Sequence, residues 1–228
     1  MEQGQQFTLP KLFETHHGLS PEHILSQGVI GLNRKRFTHN EYQGMIDSGA
    51  FEGNPFISTD FAKRELDSSR KQLQSALSTP HDALVRSAMT DWTKVPTRLY
   101  HRYDGDDVHM KAAKVLALHN ELTRSAKPSD RPLYRVMDTG RTVAQDFNSR
   151  GVMSATETPQ AADAIRGVGK GLFNGYTGDP IKERVVNLQP GSVSGVRLED
   201  YGVPKIYTAG VPQDEWLISG IGSEWTGG

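Results

Sequence analysis

Apolar residues in the first half of the chain recur at helical spacing, in three stretches that begin at capping residues. Ser58 and the two residues after it offer side-chain oxygens that cap a helix, whose apolar face is predicted to hold Ala62, Leu66, Leu73 and Leu77. A capping hydroxyl at Thr79 and a first-turn proline at Pro80 predict a second helix, with a buried face of Leu84, Val85, Ala88, Met89 and Trp92. A third helix begins near Asp107, and its apolar stripe is Val108, Ala112, Val115, Leu118 and Leu122. Residues 58–128 are therefore predicted to form a helical lobe.

From residue 129 the pattern changes to short apolar runs bounded by turn residues, which is typical of strands in a mixed or antiparallel sheet. The predicted strands are Leu133–Met137, Gly151–Ala155, Val185–Leu188, Ser194–Leu198 and Trp216–Ile218. One helix interrupts them, with Thr158 as its N-cap and Gly167 as its stop. The predicted fold class is α+β: a helical N-terminal lobe followed by a mixed, mainly antiparallel β-lobe over residues 129–228.

Residues 1–57 mix short apolar pieces with Gly, Asn and Pro and show no sustained period. We interpret them as an N-terminal extension with few predictable elements, and residues 58–228 as one unit of two lobes. The N-terminus has no basic region followed by an apolar run, and no stretch approaches the roughly 20 apolar residues that span a bilayer. We therefore expect neither a signal peptide nor a transmembrane segment.

The amino-acid composition excludes several kinds of binding and catalytic site. Lys and Arg number 26 against 27 Asp and Glu, for a net charge of -1, so no global field would hold the protein on nucleic acid or an acidic membrane. The absence of cysteine excludes disulfides, thiolate metal sites and thiol nucleophiles. Of 23 glycines 15 lie in the last 100 residues, whereas all eight histidines lie at or before His119. Chemistry in the β-lobe must therefore proceed without imidazole from its own sequence.

Two segments that could suggest a ligand site are better explained without a ligand. His16, His17 and His23 have no acidic cluster or cysteine beside them, so we interpret them as solvated histidines and expect no metal. The glycine-rich residues 167–171 follow a predicted helix rather than a strand and lack the spacing of a phosphate-binding loop. They are better interpreted as a mobile loop.

Three strand-associated segments carry stronger candidates. Alternation along the first predicted strand puts Arg135 on the same face as Leu133 and Met137, so this guanidinium needs an anionic partner. A structural ion pair within the fold explains it, and so does an anionic ligand. In the next strand, Ser154 and Thr156 stand just before a capped helix, which also suits an ordinary strand end.

The third segment joins a predicted exposed loop, Tyr207 to Pro212, to the last apolar strand. Gln213 and Glu215 lie two residues apart, so a strand places both side chains on one face and turns Asp214 away. An amide and a carboxylate that converge beside a loop can hold a ligand. The same two polar side chains can also protect an edge strand from pairing with another chain and aggregating.

Taken in order, Tyr134–Arg135, Ser154–Ala155–Thr156 and Gln213–Asp214–Glu215 resemble the R-S-E class of mono-ADP-ribosyltransferases. This family contains the clostridial Rho-modifying exoenzymes, bacterial type III effectors and phage-encoded host-modifying transferases. The resemblance covers about the last 100 residues, and the helices of 58–128 are similar to the helical lobe before the family's sheet. It implies a β-sandwich of the ADP-ribosyltransferase type and NAD as co-substrate, without a metal.

The resemblance also implies a role for individual residues. Glu215 would stabilise the positive charge that develops on the ribosyl ring when nicotinamide leaves, and Ser154 would orient Glu215. Arg135 would neutralise the diphosphate, and Thr156 would help Ser154 to orient Glu215 and the ribose. The backbone of Val136 would hold the nicotinamide amide.

Further implications concern the acceptor and the setting. Glutamine at Gln213 goes with asparagine or guanine acceptors in this family rather than arginine, Tyr207 would recognise the acceptor, and Phe173 or Tyr176 would stack on nicotinamide. The acceptor would be a host protein, with a nucleic-acid base as the alternative. The protein would act as a monomer, away from membranes, in the host cytoplasm after delivery of a toxin or effector or expression by a phage.

Two alternatives keep the fold and change the function. The first is an NAD glycohydrolase, in which water is the acceptor and free ADP-ribose is the product. The second is a catalytically inactive binding or structural module that uses the Tyr207 loop only to grip a partner.

Overall fold

The structure, a computed structural model, describes residues 8–103, 106–167 and 183–222. Its helices are α1 (Leu9–His17), α2 (Pro21–Gln27), α3 (His39–Asp47), α4 (Thr59–Ser78), α5 (His81–Lys94), α6 (Val108–Ser125), α7 (Val143–Arg150) and α8 (159–167), with 3-10 turns at Pro96–Leu99 and Leu198–Tyr201. Its strands are β1 (Val29–Leu32), β2 (Lys35–Thr38), β3 (Lys127–Pro128), β4 (Leu133–Asp138), β5 (Met153–Thr156), β6 (Glu183–Leu188), β7 (Val193–Arg197), β8 (Ile206–Thr208), β9 (Val211–Gln213) and β10 (Glu215–Ile221).

Six strands form the main sheet, in the order β3-β7-β10-β5-β4-β6, and each neighbouring pair is antiparallel. The predicted mixture of helices with antiparallel sheets is therefore confirmed. In the described part of the chain, β4 and β5 pair at a single position, Tyr134 opposite Thr156, whereas β4 pairs with β6 along its whole length. The sheet is thus split between β4 and β5 beyond this row.

The sheet buries apolar side chains on both faces. Val196 and Leu217 belong to the same buried cluster as the apolar stripes of α5 and α6. On the other side, α7 contributes Val143 and Phe147 to a second cluster, whose sheet members are Leu133, Met137, Met153, Ala155, Leu188, Val193, Trp216 and Ile218. Burial on both faces explains why the strands read as short continuous apolar runs.

A polar contact also ties the helical lobe to the sheet. The Tyr201 hydroxyl, just after β7, donates to Glu121 Oε1 of α6 at 2.8 Å. Burial alone would raise the pKa of Glu121, but hydrogen bonds from Arg124, Ser125 and Tyr201 bring that pKa to about 2. The carboxylate therefore stays charged and keeps its partners across the working pH range.

The three predicted helices of the first half are present, with two corrections. The buried face of α5 holds all five predicted residues, but Pro80 is its N-cap without a side-chain bond. Thr79 instead donates its hydroxyl back to the Ser75 carbonyl of α4, at 2.7 Å. In α4 the inward position near the C-terminus belongs to Ala76, and Leu77 is exposed, because the apolar stripe drifts around a 20-residue helix.

Residues 9–47 contain three helices and a hairpin that periodicity did not predict. Each element is short, and local capping begins the helices: Thr38 forms a capping box with Glu41 at the start of α3. His17 corrects an expectation, since it is buried and stacks on Phe13 with ring centroids 4.0 Å apart. It is not a solvated histidine.

Two further elements were missed in the β-lobe. The helix α7 has only eight residues, too few for a clear period. The segment expected as a loop from Tyr207 to Pro212 is largely the β8–β9 hairpin, whose turn residues Ala209 and Gly210 both have positive φ, as a two-residue hairpin turn requires. Among the described residues, none of the helices combines the length and apolarity needed to cross a membrane.

Candidate active site

A cavity of about 560 Å³ opens where β4 and β5 separate, between the end of α5 and the start of β10. Its volume is in the range of sites for small-molecule ligands. Six of the predicted site residues line it: Arg135, Val136, Ser154, Thr156, Gln213 and Glu215. Tyr207 does not, although its neighbours Ile206 and Thr208 do, and it is 67% exposed. Phe173 and Tyr176 lie outside the described residues.

Strand register brings the catalytic candidates together on the neighbouring strands β5 and β10. Glu215, the first residue of β10, is opposite Thr156, and Thr156 is opposite Tyr134. Ser154 is opposite Leu217, two residues further along β10. Directly opposed residues on neighbouring antiparallel strands share a face, so Ser154, Thr156 and Glu215 lie on one face of the sheet.

Gln213 and Glu215 belong to different strands. Gln213 ends β9, Glu215 begins β10, and Asp214 between them is outside both strands. Asp214 turns away to pair with Lys205 at 2.6 Å. Both flanking side chains reach the cavity. The alternation of side chains predicted one continuous strand, whereas the structure has two strands that are separated at Asp214.

Three effects act on the charge of Glu215. Its side chain is partly buried, and burial raises the pKa of this carboxyl above its ordinary value. The Ser154 hydroxyl and the positive charge of Arg135 oppose that rise. Glu215 is therefore a carboxylate with reduced hydration, placed beside a hydroxyl and a cation.

Arg135 is bound within the fold on two sides. Its Nη2 and Nε donate to Asp146 Oδ2 of α7, at 2.5 and 3.0 Å, and its Nη1 donates to the Ser154 carbonyl oxygen at 2.6 Å. The predicted orientation beside Leu133 and Met137 is confirmed, because Arg135 faces α7 as these two residues do. The guanidinium crosses the gap between β4 and β5 and holds the backbone of Ser154.

Asp146 also attracts two more arginines. Arg150 Nε lies 3.3 Å from Asp146 Oδ1, and Arg141 Nη1 lies 4.0 Å from the same oxygen. The side chains of Arg141 and Arg150 are 52% and 54% exposed, whereas that of Arg135 is 11% exposed. All three border the cavity. Three guanidinium groups around one carboxylate leave excess positive charge in this corner, which suits a phosphate or diphosphate group.

Acidic groups line another part of the cavity. Asp138 at the end of β4 is opposite Glu183 at the start of β6, and both border the cavity. They lie four residues along β4 from the Tyr134 row, which is about 13 Å at the rise of an extended strand. The cavity is therefore elongated, with Glu215 near one end and this acidic pair near the other.

The hydroxyl groups of Ser154 and Thr156 have different partners. Ser154 Oγ accepts a hydrogen bond from Trp92 Nε1 of α5 at 2.7 Å. The Thr156 hydroxyl donates to the Thr158 carbonyl at 3.1 Å, and Thr158 Oγ1 accepts from the Ala161 amide at 3.2 Å, as predicted for the cap of α8. Thr156 is therefore engaged in the turn before α8, whereas Ser154 faces the helical lobe.

Gln213 is 3% exposed. Its Nε2 donates to the carbonyls of Ala161 and Val211, both at 3.4 Å. Its Oε1 is buried and has no partner among the described residues. A buried amide oxygen without a partner is costly, and on the cavity wall it can accept a hydrogen bond from a ligand N–H or O–H.

Comparison with protein-family models, with curated proteins and with solved structures gives no match for this chain.

Function must therefore be inferred from the side chains of the cavity. Those that the sequence analysis did not place in the site include Trp92, Arg141, Asp146 and Arg150. Trp92 was predicted only as a core residue of α5. The other three lie in or beside α7, a helix too short for its period to be recognised in the sequence. Only the packing of α7 on the sheet puts Asp146 next to Arg135.

Proposed function

We propose that this protein is a mono-ADP-ribosyltransferase, which cleaves NAD at the nicotinamide–ribose bond and transfers ADP-ribose to a host macromolecule. The observation that carries the proposal is that one cavity holds both the Glu215 carboxylate and the three arginines around Asp146. NAD has a diphosphate for the arginines and a ribosyl carbon that becomes cationic next to a carboxylate. The resemblance of the three strand segments to the R-S-E class supports the same reaction.

The chemical step requires little from the protein beyond electrostatics. The bond between the ribosyl C1′ and the pyridinium nitrogen breaks, and its electron pair leaves with neutral nicotinamide, so no general acid is needed. Glu215 accepts a hydrogen bond from a ribose hydroxyl and stabilises the oxocarbenium-like ring, a contribution on the order of 3 kcal/mol. The acceptor nitrogen then forms the new bond at C1′ and releases its proton to water. The absence of histidine after His119 is compatible with this chemistry.

The diphosphate binds at the corner around Asp146. Arg135 is the arginine of the R-S-E resemblance, and Arg141 and Arg150 add the more exposed charge. Ser154 orients Glu215, with Thr156 as a secondary contact. The backbone of Val136, on the edge of β4 where the sheet is split, holds the nicotinamide amide.

The acceptor approaches past Gln213 and the β8–β9 hairpin. Gln213 presents a neutral amide whose oxygen accepts a hydrogen bond, which favours an amide or base nitrogen as acceptor and not an arginine that needs deprotonation. Tyr207, the exposed aromatic side chain of the hairpin, contacts the target. A host protein is the proposed target, and the host cytoplasm the proposed site of action.

We also propose a specific fold type: the split antiparallel sheet, with the helices that precede it, is a β-sandwich of the ADP-ribosyltransferase type. Antiparallel pairing and the opening between β4 and β5 support this assignment. The helical lobe supplies Trp92 and Thr93 to the cavity wall.

Incubation of a host lysate with the protein and tagged NAD tests the proposal. We expect labelled macromolecules, and mass spectrometry then identifies the acceptor residue. Glu215→Gln, which preserves shape and removes charge, should abolish labelling. The matched control is Glu199→Gln, at a half-exposed carboxylate paired with Arg197 outside the cavity, which should label like the wild type.

Other results would identify the alternatives. Free ADP-ribose without labelled macromolecules indicates an NAD glycohydrolase. A protein that shows no thermal stabilisation by NAD is an inactive binding module. Full labelling by Glu215→Gln would remove Glu215 from the mechanism.

A further inference from the structure

One hydrogen bond joins the helical lobe to a serine on the wall of the cavity. Trp92, in the last turn of α5, is 5% exposed and borders the cavity. Its Nε1 lies 2.7 Å from Ser154 Oγ. An indole N–H only donates, so the serine oxygen is the acceptor in this pair.

This contact restricts the direction of the serine proton. A hydroxyl has one donor and two acceptor positions, and the indole occupies one of the acceptor positions. The main chain of Ser154 is held as well, because its carbonyl accepts from Arg135 Nη1 at 2.6 Å. With both the oxygen and the backbone fixed, the hydroxyl proton has a limited range of directions.

Glu215 is a carboxylate near the Ser154 hydroxyl. Ser154 and Glu215 are on one face of adjacent strands, offset by two residues in the register. The hydroxyl of Ser154 lowers the pKa of Glu215, against the effect of burial. Other charged groups bordering the same cavity are Arg135, Arg141, Arg150, Asp138, Asp146 and Glu183.

We propose that Trp92 is a positioning residue that aims the Ser154 hydroxyl at the Glu215 carboxylate and so keeps that carboxylate ionised for catalysis. The catalytic importance of this contact rests on the proposed function, whereas the contact itself is a property of the folded protein. It gives the helical lobe a part in the chemistry: α5 sets the charge state of a group on β10 through the Ser154 hydroxyl.

Trp92→Phe tests the proposal, because it keeps an aromatic ring in the core and removes the N–H. We expect the pKa of the Glu215 carboxyl to rise by about half a pH unit. Carbon-13 NMR of glutamate-labelled protein measures this pKa without any assay of activity, and Glu215→Gln assigns the signal. In the active enzyme, the acidic limb of the kcat/KM profile should move upward by the same amount.

A double variant shows whether the effect passes through the serine. Ser154→Ala alone should raise the Glu215 pKa, and adding Trp92→Phe should cause no further rise. The matched control is Trp216→Phe, which removes an indole N–H that donates to Glu157 Oε1 at 2.9 Å. Trp216 lies in the other buried cluster, so this variant should leave the Glu215 pKa unchanged.

The outcomes separate this proposal from the proposed function. An unchanged Glu215 pKa in folded Trp92→Phe overturns the positioning role, even if the protein transfers ADP-ribose. A rise that persists in the Ser154→Ala background overturns it too. A rise that requires Ser154, in a protein without transferase activity, supports the positioning role and removes the proposed function. If Trp92→Phe does not fold, benzothienylalanine at position 92, in which sulfur replaces the N–H, provides the same test.

Discussion

Asp146 Oδ2 accepts two hydrogen bonds from Arg135, at 2.5 Å from Nη2 and 3.0 Å from Nε. The two side chains are 7% and 11% exposed, so the pair joins α7 to β4 in a nearly dry environment. Since Arg135 also holds the Ser154 carbonyl, this one ion pair supports both the anion-binding corner and the strand that carries Ser154.

The first prediction concerns this pair. Asp146→Asn removes the countercharge of a buried guanidinium and should lower the free energy of unfolding by about 3 kcal/mol, measured by urea denaturation. Asp163→Asn is the control, because Asp163 pairs with Arg166 on the surface of α8 and should cost less than about 1 kcal/mol. Equal stability of the two variants would show that Asp146 does not hold Arg135.

The second prediction separates anion binding from folding. Arg141→Gln and Arg150→Gln should each weaken ADP-ribose binding about tenfold, with little change in stability, because both side chains are half exposed. Calorimetric titration gives the affinities, and the loss should shrink at high salt. Arg166→Gln, at a comparable arginine that does not border the cavity, should bind normally. Wild-type affinity in both cavity variants would exclude this corner as the diphosphate site.

The third prediction is a trade-off at Glu215. Burial raises its pKa, so between the ordinary carboxyl range and the raised value the folded state binds more protons than the unfolded state. Its contribution to stability is therefore present at lower pH and is lost as pH rises through that window. Glu215→Gln should accordingly be more stable than the wild type at pH 7, although we expect it to be inactive. Chemical denaturation at pH 7 and pH 4 measures the difference, which should vanish at the lower pH. A less stable variant at pH 7 would contradict this account.

The fourth prediction concerns acid stability of the N-terminal elements. His39 donates from Nε2 to Ser69 Oγ at 2.8 Å, and Ser69 donates to the Val29 carbonyl at 2.9 Å. Burial, with the charges of His109 and Arg70, lowers the pKa of His39 to about 4. The unfolded state therefore binds the extra proton between about pH 6.5 and 4, so stability is complete above this window and is lost as pH falls through it.

This loss amounts to at most about 1.4 kcal/mol per pH unit for one histidine. His39→Gln keeps a donor but removes the titration, and its stability should fall less between pH 7 and pH 4.5. Circular dichroism during denaturation at several pH values gives the slopes. His23→Gln, at an exposed histidine of α2, should keep the wild-type slope. Parallel pH curves for His39→Gln and the wild type would assign the acid sensitivity to other groups.

Much of the secondary structure could be predicted from the sequence, because local signals control it. Ser58 and Asp107 cap α4 and α6 as expected, and the buried face of α5 follows its period. Each of the five apolar runs of the second half contains a strand, although Gly151 and Val152 precede β5 and Leu198 follows β7. These features depend on residues within one or two turns of each other, which the sequence displays directly. Elements too short for a period, α7 above all, could not be found in this way.

For the site, the sequence determined which strand residues are available: an arginine, a serine and a glutamate at the positions of the R-S-E resemblance. Only the tertiary structure decided what each one touches. The Arg135–Asp146 pair spans a turn into α7, and the Trp92–Ser154 bond joins residues 62 apart in the chain. Such contacts follow from how α5 and α7 pack on the two faces of the sheet. That packing is the summed result of many apolar contacts between distant segments, and no local pattern of residues records it.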